Sequence, residues 1–396
     1  MSAAPILALN SGSSSLKFAL FAPPTAPSGD VCLLHRGAIE GIGSRESRFW
    51  IRSAQSSSAP PETDDRKSTI STHSEAIRAL AEKFSKLSPA TPAAIGHRIV
   101  HGGPRLLEHC RITPQVFSQL EAAAPFAPLH VPVALALIRA AEQHFPGVPE
   151  FACLDTAFHR TLPEAAARLP LPETFWNAGI RRYGFHGLSC ESVLRALGHE
   201  ARPRLIVAHL GNGASITAIA NRASVDTTMG LTPTGGILMS TRTGDLDPGA
   251  ILHLLRNWSQ NPAQLEQLLD NQSGLLGVSG ISGDMRELHR AMDKAGARLA
   301  VRMFCLSAKK AIAGFIAVLG GIDQLVFTGG IGEHDAVVRD GICEGLQPFG
   351  IAIERRANAR HLPLISPAAA PVQIRIVPAG EEAEIARHCL SLLRDR

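Results

Sequence analysis

The chain has 396 residues, enough for two domains that each bury a substantial core. Hydrophobic residues make up 45% and charged residues 19% of it, which is typical of a globular enzyme and excludes a disordered chain. The net charge of +4 is small, the basic residues form no long runs, and one Tyr and three Trp offer little base stacking, so we expect anionic small molecules and no nucleic acid as partners.

Signals for membrane insertion, secretion and disulfides are missing from the sequence. The longest apolar stretch, 311–322, is too short for a membrane helix, and the N-terminus lacks the basic start and apolar core of a secretion signal. The seven cysteines form no C-x-x-C pair, which argues against a disulfide framework and a zinc site. We therefore expect a cytoplasmic protein that acts away from membranes.

In the first half, apolar patterns predict a hairpin at 6–21 and short strands at 31–35 and 49–51. A polar stretch at 53–71 predicts a surface loop or a short ordered excursion. Further elements follow in this order: helix 73–87, strand 94–100, helix 129–144 and strand 150–154.

The second half repeats this order. Its predicted elements are the hairpin 205–219, helices near 248–257 and 295–319, strands 325–327 and 373–377, and a closing helix 381–393. Recurrence of hairpin, helix, strand and helix about 200 residues apart predicts a duplicated α/β unit with a ligand-binding cleft between the copies.

Two turns rich in Gly and Ser interrupt the two hairpins. They read NSGSSSLK at 10–17 and HLGNGAS at 209–215, and a third glycine cluster at 329–332 follows an apolar strand. Glycines let the backbone approach an anion closely, so the three together favour nucleotide binding, although one alone would be weak evidence. No Walker A loop, strand-linked G-x-G-x-x-G or H-R-D triplet is present, which indicates a different phosphotransfer fold.

Two further motifs are more specific. RRYGFHG at 181–187 and TRTGDLDP at 241–248 resemble those of acetate kinase and its propionate kinase relatives, in the superfamily of sugar kinases, actin and heat-shock ATPases. The resemblance extends from Asn10 to the PAGEE segment at 378–382.

The resemblance implies an α/β fold of duplicated ribonuclease H-like (actin-like ATPase) domains with an active-site cleft between them. The first domain would comprise 1–155 plus 381–396. The second, 156–380, would bind the nucleotide and form the contacts of a homodimer. The implied reaction is reversible in-line transfer of the ATP γ-phosphoryl to acetate, giving acetyl phosphate and ADP, with Mg²⁺ (or Mn²⁺) as cofactor.

Catalytic roles follow from this chemistry together with the resemblance. A short carboxylate is already ionised at pH 7, so it needs no general base, and electrostatic positioning must do most of the catalysis. Arg98 and Arg242 match the substrate-site arginines, whose planar forks suit carboxylate and phosphoryl oxygens. His186 matches the histidine that stabilises the transferring phosphoryl. Asp155 matches the catalytic acidic residue, which we expect to orient metal-bound water or help hold the metal.

Binding residues are implied by the same resemblance. Asn10 and Glu381 match metal ligands, as suits oxygen coordination of Mg²⁺. Lys17 would meet the ATP phosphates as a point charge. The second phosphate-binding hairpin would consist of His209, Leu210, Gly211, Asn212 and Gly213. The adenosine pocket would involve Asp284, Met285, Arg286, Gly330, Ile331, Gly332, Glu333 and His334.

The acyl pocket would be lined by Arg98, Val100, Leu129, Phe185 and Pro233. The chain departs from the family pattern at Val131, Cys190, Gly235, Ser240 and His334. These exchanges either lie behind the pockets or reshape them. One methylene is worth only about 1 to 3 kcal/mol of discrimination, so acetate and propionate both stay open as substrates.

Two other readings compete with a carboxylate kinase. One is a non-catalytic ATPase module of the actin or chaperone kind, which would have no need of the carboxylate clamp formed by Arg98 and Arg242. The other is a sugar kinase, which would place an aspartate base beside a polar pocket for a hydroxyl group. The apolar wall expected around the substrate argues against it.

Overall fold

The computed structural model describes residues 4–12, 15–24, 29–44, 46–54, 62–64, 70–87 and 91–394. Most of the predicted polar stretch at 53–71 lies outside these residues, as do Ser13 and Ser14 of the first Gly/Ser turn. The chain forms two compact units, the first made of Met1–Ala157 with Gly380–Arg396 and the second of Phe158–Ala379.

The described residues form strands and α-helices throughout both units. The strands are β1 (Ile6–Ser11), β2 (Ser15–Ala22), β3 (Cys32–Glu40), β4 (Arg48–Ser53), β5 (Glu62–Asp64), β6 (Ala94–Ile99), β7 (Cys110–Arg111), β8 (Glu150–Leu154), β9 (Arg204–Leu210), β10 (Ala214–Ala220), β11 (Ala223–Thr227), β12 (Gln324–Thr328) and β13 (Gln373–Ile376). The helices are α1 (His73–Leu87), α2 (Pro114–Ala123), α3 (Val131–His144), α4 (Glu164–Ala167), α5 (Glu173–Asn177), α6 (Gly187–Leu197), α7 (Pro248–Asn257), α8 (Pro262–Asn271), α9 (Gly274–Ser279), α10 (Met285–Arg290), α11 (Ala295–Val318), α12 (Gly329–His334), α13 (Ala336–Cys343), α14 (Arg355–Ala359) and α15 (Glu381–Arg394).

The first unit is built on one mixed sheet with the strand order β5-β4-β3-β2-β1-β6-β8-β7. Strands β1, β2 and β3 pair antiparallel, whereas β6 runs parallel to β1 and β8 parallel to β6. Helix α1 supplies Ile77, Leu80 and Phe84 to a core shared with α3 and the sheet, which is the pattern expected of an amphipathic helix.

Helix α15 packs on β1, β2 and β6, so the last described helix completes the first unit. Gly96 in β6 makes this contact possible. A Cβ at that position would lie 2.3 Å from Cγ2 of Ile385 and 2.6 Å from Sγ of Cys389, closer than real Cβ atoms approach. The side chain that Gly96 lacks therefore leaves room for α15 against the sheet.

The second unit has its own sheet, in the order β11-β10-β9-β12-β13. Strand β10 pairs antiparallel with β9 and β11, while β12 runs parallel to β9 and β13 parallel to β12. The long helix α11 packs on β9 and β10 and on α9 and α13. Apolar side chains of α6, β9, β10 and β12 form a core cluster in this unit.

The two sheets share a five-stranded core topology, to which the first sheet adds β4, β5 and β7. In each core an antiparallel meander of three strands is followed by two strands parallel to the first. Each second strand also shows a register irregularity, at Leu20/Phe21 in β2 and at Ala218/Ile219 in β10. The predicted fold class, a duplicated ribonuclease H-like α/β unit, is confirmed.

Among the described residues, no helix combines the length and the apolar character needed to cross a lipid bilayer.

Candidate active site

Polar residues that are distant in the sequence meet at one edge of the first sheet. Asn10 lies in β1, Arg98 in β6, and Asp155 directly follows β8. Because β1, β6 and β8 are parallel neighbours, their carboxyl ends lie at the same edge. Glu381 and Glu382 begin α15, which packs on these strands. We call these five residues the acidic cluster.

The acidic cluster is joined by hydrogen bonds. Arg98 donates from Nε and Nη2 to Oδ2 of Asp155 at 3.0 and 2.6 Å, and from Nη1 to Oδ1 of Asn10 at 3.0 Å. Asn10 in turn donates from Nδ2 to Glu381 Oε2 at 2.9 Å and to Glu382 Oε1 at 3.0 Å. The guanidinium of Arg98 is therefore fixed in orientation by Asp155 and by Asn10, which Glu381 and Glu382 hold in turn.

Electrostatics keep Arg98 charged. Asp155 is 1% exposed and the Arg98 side chain 17% exposed. Burial alone would lower the pKa of Arg98, but the nearby carboxylates of Asp155, Glu381 and Glu382 outweigh it and raise that pKa above its ordinary value. The prediction for Asp155 stressed the metal, whereas the structure also makes it the anchor of Arg98.

The sequence prediction missed Glu382. It follows a predicted metal ligand and lies in the first turn of a helix, where acidic side chains are favoured by the helix dipole. Its position in the first turn of the helix was the sequence feature that could have identified Glu382. One guanidinium against three carboxylates leaves the cluster negatively charged, and its amide and carboxylate oxygens suit a hard divalent cation.

Lys17 lies beside this cluster in the first hairpin. It is the direct partner of Asn10 across β1 and β2, and opposite residues of an antiparallel pair share one face of the sheet. Its side chain is exposed. The turn between the two strands is held at Gly12, whose carbonyl lies 2.9 Å from Nε2 of His73.

Two stacked imidazoles define the functional edge of the second unit. The rings of His186 and His209 have centroids 4.2 Å apart and are inclined by 19°. Nδ1 of His186 lies 3.0 Å from Oγ of Ser215, and Nδ1 of His209 lies 2.8 Å from Oγ of Ser189. Both serines are fully buried or nearly so. Each ring is therefore held through its Nδ1 atom.

The glycines of the β9–β10 hairpin lie against these rings. A Cβ at Gly213 would be 3.2 Å from Nε2 of His186 and 3.6 Å from Nη1 of Arg242. A Cβ at Gly211 would be 3.9 Å from Nε2 of His209. The structure thus brings the predicted residues His186, His209 and Arg242 to the predicted phosphate hairpin.

Arg242 is positioned by the segment around it. It donates from Nη1 to the carbonyl of Pro233 at 3.3 Å. Two residues earlier, the backbone amide of Ser240 donates to the carbonyl of Asn212 at 3.2 Å, and its hydroxyl lies 3.5 Å from Oδ1 of the same residue. Ser240, one of the departures from the family pattern, therefore adds a side-chain contact to the hairpin.

His159 fixes the backbone that leads into His186. Its Nε2 donates to the carbonyl of Phe185 at 2.9 Å, and its Nδ1 lies 2.9 Å from Oγ of Ser224. Burial lowers the pKa of His159 to about 4, so the ring is neutral at physiological pH. His186 itself has the left-handed backbone angles φ 58 and ψ 30. Sequence reasoning gave His159 no role.

Five of the eight residues predicted for the adenosine pocket, 330–334, lie in α12, which packs on β9. Oε1 of Glu333 accepts from the amides of Gly329 at 3.1 Å and Ala379 at 2.9 Å. Arg339, fully buried, donates from Nη1 to the carbonyls of Gly332 at 2.8 Å and Glu333 at 3.0 Å. The hydrogen bonds of Glu333 and Arg339 restrain this segment. Arg339 was not among the predicted residues.

The other predicted adenosine residues begin α10. Asp284 caps the helix by accepting from the amide of Arg286 at 2.8 Å, and the side chains of the two residues also pair. This pairing lowers the pKa of Asp284. Met285 is buried, whereas Arg286 and His334 are 82% and 77% exposed.

The residues predicted for the acyl pocket divide between the units. Val100 and Leu129 belong to the first, and Phe185 and Pro233 to the second. Of these only Leu129 has an exposed side chain.

Two departures from the family pattern are core positions. Val131 is fully buried at the start of α3, and Cys190 is buried in the core cluster of the second unit. A third departure, Gly235, lies beside Asp245, whose Oδ1 would be 3.1 Å from a Cβ at that position. At a fourth departure, His334, the side chain is exposed to solvent.

Comparisons with known proteins agree with this geometry. Residues 5–387 match the model of the Acetokinase family. An acetate kinase of Methylocella silvestris is 39% identical over 98% of both chains, and a propionate kinase of Citrobacter rodentium is 39% identical over 98% of this chain and 96% of that one. The crystal structure of a propionate kinase from Francisella tularensis superposes with a TM-score of 0.89 at 33% identity, covering 98% of this chain and 100% of that one.

Fold and comparisons together define a kinase of the actin-like ATPase class that transfers a phosphoryl group to a carboxyl group. The chain belongs to the acetokinase family, whose members act on small carboxylates and ATP.

Proposed function

We propose that the protein transfers the γ-phosphoryl group of ATP to acetate, giving acetyl phosphate and ADP, and that the reaction runs in both directions. The observation that carries this proposal is the fixed guanidinium of Arg98, which Asp155 and Asn10 hold in one orientation. An ionised carboxylate needs a preorganised cation to align it and no base to activate it. Arg98 is suited to that task.

His186 and Arg242 act on the phosphoryl group in this proposal. Negative charge spreads over the phosphoryl oxygens during transfer, and fixed donors stabilise it. Nε2 of His186 and Nη1 of Arg242 both lie within 3.6 Å of the place where a Cβ of residue 213 would be, so the two donors converge on one point of the hairpin. Backbone amides of the hairpin would add further donors.

A divalent cation, Mg²⁺ or Mn²⁺, fits the acidic cluster because the cluster holds more carboxylates than cationic groups. Asn10 and Glu381 would hold it, with Asp155 and Glu382 close by. When bound it would neutralise charge on the ATP phosphates. Lys17, opposite Asn10 in the hairpin, would meet the same phosphates as a point charge.

Propionate is the second candidate substrate, because relatives named for acetate and for propionate are equally similar to this chain. Retention of Val100, a small buried side chain, favours acetate. The nucleotide would lie along α12 and the start of α10, whose exposed side chains include Arg286 and His334.

The test is ADP release from Mg-ATP with acetate, propionate and butyrate in parallel, with hydroxylamine trapping of the acyl phosphate. We expect trapped product with acetate at the highest kcat/KM. A higher value for propionate would reassign the substrate within the same reaction. ATP turnover without acyl phosphate for any acid would contradict the proposed function.

We also propose a homodimer formed through the second unit. Leu299, Met303 and Leu306 are exposed at helical spacing along α11, and Leu252 and Trp258 are exposed in and after α7. Apolar side chains in this number commonly mark a protein contact. Sedimentation equilibrium of the wild type is expected to give twice the chain mass, and of Leu299→Glu with Leu306→Glu the monomer mass.

A further inference from the structure

We propose that Ser215 and Ser189 are positioning residues that hold His186 and His209 as the tautomers protonated at Nε2. The inference rests on the proposed function, because it assigns the two Nε2–H groups to phosphoryl oxygens. Neither serine is a predicted site residue.

The contacts form a crossed pattern that we call the Ser–His lock. His186 precedes α6 and is held by Ser215 in β10, whereas His209 in β9 is held by Ser189 in α6. Ser215 is also the direct strand partner of His209. Helix and hairpin thus each supply one imidazole and one hydroxyl, so neither ring can turn about its bonds without losing a contact to the other element.

The lock directs both rings the same way. Each Nδ1 lies on its serine, and each Nε2 lies towards a hairpin glycine, Gly213 for His186 and Gly211 for His209. A neutral imidazole carries one proton, and the partner of one nitrogen decides which nitrogen carries it. A serine hydroxyl that donates to Nδ1 leaves the proton on Nε2, where it points to the hairpin.

The second unit contains another histidine–serine pair, in which the hydrogen-bond partners of the imidazole determine its tautomer. His159 also has a serine hydroxyl, that of Ser224, 2.9 Å from Nδ1. Its Nε2 faces the carbonyl of Phe185, which can only accept, so Nε2 carries the proton and the hydroxyl of Ser224 donates to Nδ1. The Ser–His lock repeats this arrangement with a phosphate-binding hairpin in place of the carbonyl.

Charge around the rings favours neutral donors over imidazolium ions. His186 faces the imidazole of His209 at 4.2 Å and the guanidinium of Arg242 across Gly213. Two imidazolium rings at this separation, beside a guanidinium, would repel one another. The other titratable groups lie in α6, β9 and β11 and before α6: Cys190, Glu191, Arg195, Arg204, Asp226 and His159. A neutral Nε2–H donor stabilises developing charge without any proton transfer, in keeping with an acceptor that has no proton to lose.

The test compares the pH dependence of kcat for the wild type and Ser215→Ala, with acyl phosphate formation as the readout. Without the hydroxyl the neutral ring samples the Nδ1–H tautomer and other orientations, whereas an imidazolium ring presents Nε2–H in any case. We expect kcat of the variant to be about fivefold below wild type at pH 8.5 and to approach wild type at pH 6, in line with the loss of one neutral hydrogen bond. Ser189→Ala should behave in the same direction.

Ser224→Ala is the matched control, because it removes an equivalent hydroxyl from a histidine whose Nε2 is bound to a carbonyl. Its kcat, whether reduced or not, should keep a constant ratio to wild type across pH. A constant ratio for Ser215→Ala as well would overturn the inference and leave Ser215 a merely structural residue.

A second measurement does not depend on turnover. In protein labelled with ¹⁵N-histidine, two-bond ¹H–¹⁵N spectra distinguish the two neutral tautomers, and the signals of the two rings can be assigned from His186→Gln and His209→Gln. We expect the Nε2–H pattern for both rings in wild type and a mixed pattern for His186 in Ser215→Ala. The Nδ1–H pattern in wild type would refute the lock even if the kinase reaction is confirmed. Absence of acyl phosphate in the wild type would instead refute the proposed function and leave the tautomer assignment standing.

Discussion

In the first unit the strands β1, β6 and β8 end in an amide, a guanidinium and a carboxylate, and α15 adds two further carboxylates. In the second unit the corresponding strands β9, β12 and β13 end in a histidine-flanked glycine hairpin, the glycine cluster of α12 and the segment that reaches Ala379. One topology therefore presents a negatively charged edge in one copy and hydrogen-bond donors in the other.

In the proposed function the two copies of the fold would bind different groups. Parallel strand ends bring distant residues together in both copies, so the scaffold supplies the geometry twice. Side chains then decide what each edge binds. Carboxylates of the first edge suit a cation, whereas imidazoles, Arg242 and glycine amides of the second suit an anion.

The largest effect is expected for Arg242→Ala in the second edge. It removes a cation that lies against the hairpin glycine Gly213 and should reduce kcat about 10²- to 10³-fold, the usual loss for a donor that stabilises transition-state charge. ATP binding, measured by calorimetry, should change little. Loss of nucleotide binding to the same extent as turnover would show that Arg242 serves the nucleotide and not the transfer.

A smaller effect is expected for Asp155→Asn in the first edge. The variant keeps the size of the side chain but removes the charge that holds Arg98, so the KM for the carboxylate should rise about 10- to 100-fold while the KM for ATP changes less. Glu382→Gln is the control, because it removes a carboxylate that accepts from Asn10, whereas Asp155 accepts from Arg98 directly. If the two variants raise the carboxylate KM equally, Asp155 has no special role in orienting Arg98.

One glycine of each unit, Gly213 and Gly96, extends the comparison between the two units. Gly213→Ala would place a Cβ 3.2 Å from Nε2 of His186 and should lower kcat about threefold to tenfold with little change in Tm, because the displaced groups are functional. Gly96→Ala would drive a Cβ into Ile385 of α15 and should cost about 1 to 3 kcal/mol of stability.

Gly314→Ala is the control for both glycine variants, because a Cβ at this position in α11 meets nothing within 4 Å. It should leave kcat unchanged and raise stability by about 0.5 to 1 kcal/mol. Thermal melts and kcat of the three variants distinguish the functional role of Gly213 from the packing role of Gly96. A reversed pattern, with Gly213→Ala destabilised and Gly96→Ala inactive but stable, would be inconsistent with the division proposed here.

The smallest effect at neutral pH concerns His159 of the second unit. Its folded-state pKa of about 4 lies below the unfolded value of about 6.5, so the unfolded chain binds more protons between these values. The stability from this group is complete above about pH 6.5 and is lost as pH falls towards 4, with about 2 kcal/mol gone at pH 5. Tm measured against pH should fall less steeply for His159→Gln than for wild type. Parallel curves would show that His159 does not titrate in this range.

Much of the fold was predictable because periodicity is strong where one face is buried. The predicted helix 73–87 and strand 150–154 have the observed bounds of α1 and β8. Helix α6 was missed, since its buried residues surround the helix and the residue before it, His186, has left-handed backbone angles and no capping hydrogen bond.

The candidate site was predictable where a motif carries it and not where only tertiary contact does. Asp155 and Arg98 are distant in the sequence, yet both lie at the ends of predicted strands that one predicted helix separates. Strands connected in this way usually lie close together in one sheet, so their meeting could have been inferred. Ser189 and Ser215 could not, because nothing local marks a serine whose partner lies on another element. Arg339, buried on the carbonyls of α12, was hidden in the same way.

The place of α15 has a consequence for biosynthesis. The ribosome completes the second unit, Phe158–Ala379, before it makes the helix that closes the first, so β1 and β6 must wait with their apolar face uncovered while the rest of the chain is translated. A nascent chain halted before Glu381 would lack both that cover and two of its three clustered carboxylates. Truncated translation products should therefore be inactive and should expose apolar surface that a chaperone can bind.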